Sequence, residues 1–237
     1  MSLKTAIIIA GGKGTRLEEK SEDLPKPLIP VGGVPILERI LLWLKNNGVE
    51  KIVIGVAYKK ELIKNYFGNG SKFGLEIIYT EHDENGGTED AFKAAIEQSG
   101  IEDENFYAMN GDQVTDLQLI GLTNTHLKNN AVATLVTIKL KTNFGIIETD
   151  TQNKITSIQE KWIVPNTLMN TGIYVFNKKI KDYLVGKNIE ENAFCKLCEE
   201  GKLYSFYYDG EWFSVNNKKD LKEAEDYLKK VDSILNI

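Results

Sequence analysis

Apolar runs rich in β-branched residues alternate with segments of helical period through the first half of the chain. TAIIIA (5–10) has the composition of a buried strand, and PILERILLWLKNNG (35–48) that of a helix entered at Pro35 and stopped by Gly48. KIVIGVAY (51–58) is a second strand, KKELIKNYFG (59–68) a helix, and LEIIYTE (75–81) a third strand. TEDAFKAAIEQSG (88–100) follows as a helix with Thr88 in the N-cap position, and NFYAMNGD (105–112) as a fourth strand ending in a turn. Strand, helix, strand, helix predicts right-handed crossovers and a doubly wound, mostly parallel sheet of the α/β class.

The pattern then changes. AVATLVTIKL, FGIIETD, KITSIQE and TGIYVFNK lie close together with short turns between them, which predicts antiparallel or mixed additions to that sheet. A helical stretch over 189–200, the run KLYSFYYDGEWFSV and a helix over about 218–234 complete the chain. No linker, repeat or low-complexity segment interrupts it. The expectation is one domain over residues 1–237, an α/β unit carrying a β-rich insertion.

Composition narrows the function classes. A net charge of −5 argues against a general binder of nucleic acid or anionic membrane. No apolar stretch approaches the roughly 20 residues of a membrane span, and the N-terminus lacks a charged, apolar leader. A cytoplasmic protein is expected, and a homo-oligomer would be unremarkable. The two cysteines, Cys195 and Cys198, have CxxC spacing but no nearby histidine, since His82 and His126 lie far off in sequence. Set in a helical pattern with Phe194 and Leu197, they are expected to be buried packing residues.

Candidate chemistry begins at AGGKGTRL (10–17), directly after the first strand. In an open α/β sheet, ligands collect at the carboxyl ends of strands, and glycines there let backbone N–H groups form a nest for phosphate oxygens. The loop is neither a P-loop nor a dinucleotide fingerprint, because GxxxxGK[ST] is absent and Leu17 stands where a third glycine belongs. Further on, LPKPLIPVGGVPIL (24–37) sets Lys26 between two prolines. That placement predicts rigid, extended, non-helical backbone aiming one ammonium at a phosphate.

Together, AGGKGTRL and LPKPLIPVGGVPIL resemble the signature of the sugar-phosphate nucleotidylyltransferases, and later segments extend the resemblance over nearly the whole chain. It implies a Rossmann-like fold of the nucleotide-diphospho-sugar transferase type with a β-rich sugar-binding insertion. It also implies transfer of a nucleoside monophosphate from a nucleoside triphosphate to a sugar 1-phosphate, with release of pyrophosphate. Ala10, Gly11, Gly12, Lys13, Gly14 and Thr15 would hold the triphosphate, and Gly87 and Thr88 the base and ribose. Arg16 and Lys26 would be the catalytic cations. Asp112, in the turn NGD, would bind Mg²⁺. Asn110, Gly145, Glu160, Lys161 and Asn170 would hold the sugar phosphate. The pattern looks nearest to short guanylyltransferases for mannose or heptose 1-phosphate. Thymidylyl, uridylyl or cytidylyl transfer, including transfer to a phosphocholine-like acceptor, is the alternative.

Two departures stand out. The family closes with WxDVGT, whose Asp is a second metal ligand, whereas WFSVNN (212–217) has Ser214 there. A regulatory subunit that binds nucleotide without turnover is the rival that this serine supports. In NGGTEDAF (85–92), Glu89 and Asp90 replace small residues and suit the dipole at a helix N-terminus.

Overall fold

The computed structural model describes residues 2–13, 24–142, 144–160 and 163–235. Arg16, together with Gly14, Thr15 and Lys161, lies outside them. The strands are β1 (Thr5–Ile9), β2 (Pro30–Val31), β3 (Val34–Pro35), β4 (Lys51–Val56), β5 (Glu76–Glu81), β6 (Asn105–Asn110), β7 (Gln113–Thr115), β8 (Ala133–Lys141), β9 (Ile146–Thr149), β10 (Ile155–Gln159), β11 (Ile163–Asn177), β12 (Leu203–Tyr207) and β13 (Trp212–Ser214). The helices are α1 (Ile36–Asn46), α2 (Lys60–Phe67), α3 (Gly87–Ser99), α4 (Leu119–Asn129), α5 (Cys195–Glu199) and α6 (Lys218–Leu235).

Seven strands form the central sheet in the order β12-β8-β11-β6-β1-β4-β5. β1 pairs in parallel with β4 and β6, β4 with β5, and β8 with β12, whereas β11 runs antiparallel to β6 and β8. The expected mixed additions are therefore β8, β11 and β12. The insertion is a two-stranded antiparallel hairpin of β9 and β10 outside that sheet.

Both sheet faces are covered, which is why β1 and β4 read as unbroken apolar runs rather than alternating ones. Ile8, Ile54, Leu37 and Leu41 belong to one buried cluster; Ile7, Val53, Phe92 and Phe176 belong to the other. Between these layers, β1 → β4 → β5 steps outward in one direction and β6 returns to the far side of β1. The order of strands thus reverses between β1 and β6, and their carboxyl ends open a crevice.

Three local expectations are corrected. Lys26–Leu28 is a 3₁₀ turn rather than extended backbone; Pro27 is tolerated because a first-turn N–H has no intrahelical partner to lose. Thr88 is not the N-cap: α3 starts one residue earlier, at Gly87, and Gly86 holds the cap position without a side-chain bond. Cys195 and Cys198 are exposed, not buried. A helical step of about 100° separates them from Phe194 and Leu197, which take the inward face instead.

His126 on α4 is buried, its ring between Thr134 Oγ1 at 2.9 Å and Asn105 Oδ1 at 3.0 Å. Burial pushes its pKa down to about 4. The unfolded chain takes up this proton near pH 6.5 and the folded chain only near 4, so stability is lost as pH falls through that window. Urea titrations at pH 7.5 and 4 should show His126→Gln losing less stability than the parent, by up to about 3 kcal/mol.

Candidate nucleotide and sugar-phosphate site

At the switch point Ile9 is in register with Asn110, and Gly111 donates its N–H to the Ile9 carbonyl at 2.8 Å. A Cβ on Gly111 would sit 2.9 Å from that carbonyl oxygen, so this approach of the two loops requires glycine. The glycine loop and the NGD turn are thereby set side by side. Between them lies a cleft of about 320 Å³, whose lining includes Ala10, Gly11, Gly12, Lys26, Gly87, Thr88, Asn110 and Asp112. Eight of the residues singled out from sequence, taken from four separate stretches of chain, therefore meet in one place.

Lys26 and Asp112 form the centre. Lys26 Nζ lies 2.6 Å from Asp112 Oδ2 and 2.8 Å from Asn216 Oδ1, and the ion pair is mostly shielded, with side chains 14% and 19% exposed. Asn216 Nδ2 in turn donates to Ser214 Oγ at 2.8 Å. β13 brings this segment into place by pairing with β7, Ser214 against Gln113, while the Val215 N–H bonds to the Asp112 carbonyl at 2.9 Å. Asp112 Oδ1 is buried and, among the described residues, has no hydrogen-bond partner. A buried, unpartnered carboxylate oxygen is costly unless something else coordinates it.

The chain-wide comparison decides the family. The model of the nucleotidyl transferase family matches residues 5–231. The chain belongs to the nucleotidyl transferases. It is 31% identical to a UTP–glucose-1-phosphate uridylyltransferase of Synechocystis over 92% of its own length and 62% of that protein's. With D-glycero-alpha-D-manno-heptose 1-phosphate guanylyltransferase of Campylobacter jejuni it shares 35% identity, over 74% of the chain and 76% of that protein. The crystal structure of HddC from Yersinia pseudotuberculosis complexed with GMP-PN superposes with a TM-score of 0.70 at 25% identity, covering 95% of this chain and all of that one. Among the longer curated relatives, the chain spans between 54% and 62% of their length.

Other predicted residues of this nucleotidyl transferase are not part of the cleft lining. Lys13 pairs with Glu84 at 2.8 Å, which raises its pKa, and its ammonium lies over the Tyr58 ring. Gly145 and Glu160 border the β9–β10 hairpin, close enough that a Cβ on Gly145 would touch Glu160 Cγ at 3.9 Å. Neither lines the cleft. Asn170 on β11 donates to Tyr174 OH at 3.0 Å and to Glu190 Oε1 at 3.3 Å, and accepts the Gly172 N–H at 3.0 Å.

The sequence reading assigned no role to His82, which lines the cleft, or to Asn216, which holds Lys26 there. His82 is packed so tightly on Gly11 that any side chain there would collide with its Nε2. Burial lowers the His82 pKa against the opposing pull of Asp90 and Asp83. Its only sequence signal was its place immediately after a strand. Asn216 was visible as a departure in the closing motif, but nothing in sequence indicated that its amide oxygen would share Lys26 with Asp112. Among the described residues, no three of His, Cys, Asp or Glu converge as a metal set, and no helix is long and apolar enough to cross a membrane.

Gly172, at φ +81°, lets NTG close onto NGD: a Cβ there would lie 2.5 Å from Asn110 Nδ2 and 2.6 Å from Gln113 Nε2. Gly172→Ala should therefore cost at least about 1–3 kcal/mol in denaturant unfolding and weaken ligand binding at the cleft.

Proposed function

We propose that this chain transfers a nucleoside monophosphate from a nucleoside triphosphate to a hexose or heptose 1-phosphate, yielding a nucleoside diphosphate sugar and pyrophosphate. The observation that carries the proposal is Lys26, held between Asp112 and Asn216 at the mouth of the glycine loop. The relatives' names support the reaction class. The C. jejuni guanylyltransferase and the GMP-PN complex of HddC favour guanine as the base.

An acceptor phosphate oxygen attacks the α-phosphorus, and the bond to the oxygen bridging the α- and β-phosphates breaks. Both partners are anions, so the protein's task is in-line positioning and neutralisation of charge. An ammonium has three N–H donors, and among the described residues Asp112 and Asn216 take two from Lys26. The third remains for a phosphate oxygen, its direction fixed by the other two. Gly11 and Gly12 offer backbone N–H groups without side chains in the way, and Arg16 would add a planar pair of donors at the α-phosphate. Gly87 and Thr88 would face the ribose and base; Asn110 and, on the far side of Gly172, Asn170 would face the sugar phosphate. No general base is required, because the attacking phosphate is already ionised.

The donor set suits Mg²⁺: Asp112 keeps a buried Oδ1 without a partner among the described residues, and Asn216 presents an amide oxygen on the same lysine. When bound there, the ion supplies a positive charge on the phosphate oxygens. The regulatory-subunit reading rested on the loss of a carboxylate at Ser214; the Asn216 oxygen, which now accepts from Lys26, would serve as a second hard ligand in its place. Substrates of this kind fit a cytoplasmic enzyme.

Pyrophosphate release should be measured with Mg²⁺, the common triphosphates and a panel of sugar 1-phosphates. One pairing should turn over, and Lys26→Ala or Asp112→Ala should lower its kcat on the order of 10²–10³-fold. Turnover unaffected by either substitution would exclude this site. Asn216→Ala should raise the Mg²⁺ needed for half-maximal rate by roughly tenfold, and Asn216→Asp should not.

A further inference from the structure

We infer that the Gly186–Glu190 segment couples the nucleotide loop to the acceptor side of the cleft, with buried Glu89 as the positioning residue that fastens it. This rests on the proposed roles of Gly87, Thr88 and Asn170.

Glu89 lies in the first turn of α3, where a negative charge complements the helix dipole. The dipole would be met equally well by an exposed carboxylate, and neighbouring Asp90, only half-buried, already lies in that turn. Glu89 is instead 0% exposed, and burying a carboxylate is expensive unless its partners are well placed. One oxygen, Oε1, accepts the Gly186 N–H at 2.6 Å, while Oε2 has no partner among the described residues. In return the Glu89 N–H donates to the Lys187 carbonyl at 3.1 Å. These two bonds fix the backbone of 186–187 onto the first turn of α3.

The same segment touches the nucleotide loop directly. Gly87, at φ +88°, is covered so closely by the Lys187 carbonyl that no side chain would fit, and the Ile189 N–H reaches Thr88 Oγ1 at 3.5 Å. At its other end Glu190 accepts from Asn170 Nδ2, and it opens a π-turn, Glu190–Phe194, whose Phe194 packs edge-on against Tyr174 at 5.3 Å. Tyr174 OH is the second acceptor for Asn170 Nδ2. Five consecutive residues therefore connect Gly87 and Thr88 to Asn170, with buried Ile189 between. A nucleotide that shifts Gly87 and Thr88 displaces the backbone carrying Glu190, and Asn170 is reoriented with it.

Calorimetry of the intact chain tests this with non-reacting probes: the α,β-methylene analogues of GTP and UTP, each with mannose 1-phosphate and glucose 1-phosphate. In the parent, a bound analogue should tighten sugar-phosphate binding at least about fivefold. In Glu89→Ala that factor should fall to about one, and Glu89→Gln, which keeps an acceptor oxygen for Gly186, should restore it. Glu190→Ala, at an exposed position and so safe for folding, should lose the coupling while binding the analogue normally. If Glu89→Ala and Glu190→Ala keep the parental factor, even with a lowered Tm, the contacts are structural only and the inference is wrong. A parental factor of one also overturns it, while leaving the transfer reaction standing. Failure of the parent to bind any probe would remove the proposed function, and the coupling with it.

Discussion

One partly buried ammonium between a carboxylate and an amide oxygen governs the site. Removing either partner of a shielded ion pair leaves the other charge in a poorly solvated place, which is why breaking such a pair costs more than breaking a surface one. Lys26, Asp112 and Asn216 come from three distant stretches of sequence, and their contact at 2.6 and 2.8 Å joins a 3₁₀ turn, the β6–β7 turn and the segment between β13 and α6. Each of those elements is placed by backbone pairing elsewhere. The pairing of β1 with β6 aligns Ile9 and Asn110, and β13 on β7 carries Asn216 over Asp112. The ammonium is thus the point at which the sheet's topology and the chemistry of the cleft meet.

Glycine makes the close approaches possible. Gly111 admits the Ile9 carbonyl, and Gly172 admits the side chains of Asn110 and Gln113. The result is a concave, polar cleft at a topological switch point, with unpartnered buried acceptors on its walls. Such acceptors cost stability in the folded chain and suit a ligand that arrives with cations or donors of its own.

Much of the fold was legible because the signals were local. β1, β4 and β5 are short apolar runs bounded by polar residues, and α1 is punctuated by Pro35 and Gly48. AGGKGTRL and LPKPLIPVGGVPIL were legible as a pair because their order and spacing are specific. What escaped depended on tertiary placement. Lys26 turned out to start a 3₁₀ turn, because proline restricts the interior of a helix rather than its first turn. The cysteines faced outward because a helical period alone does not say which side meets the sheet. Ser214 drew notice as a missing carboxylate, yet Asn216, two residues on, is the side chain that reaches Lys26. Glu89 fitted a helix dipole so well that nothing in sequence suggested its burial.

The most direct test of this account is a double-mutant cycle on turnover with Lys26→Met and Asp112→Asn, measured as kcat on the pairing that releases pyrophosphate. If the two side chains act as one unit, the double variant should be about as slow as the slower single variant, since residues that work together are strongly non-additive. Effects that multiply would contradict it, because Lys26 and Asp112 would then contribute independently and their contact would not be the centre of the site.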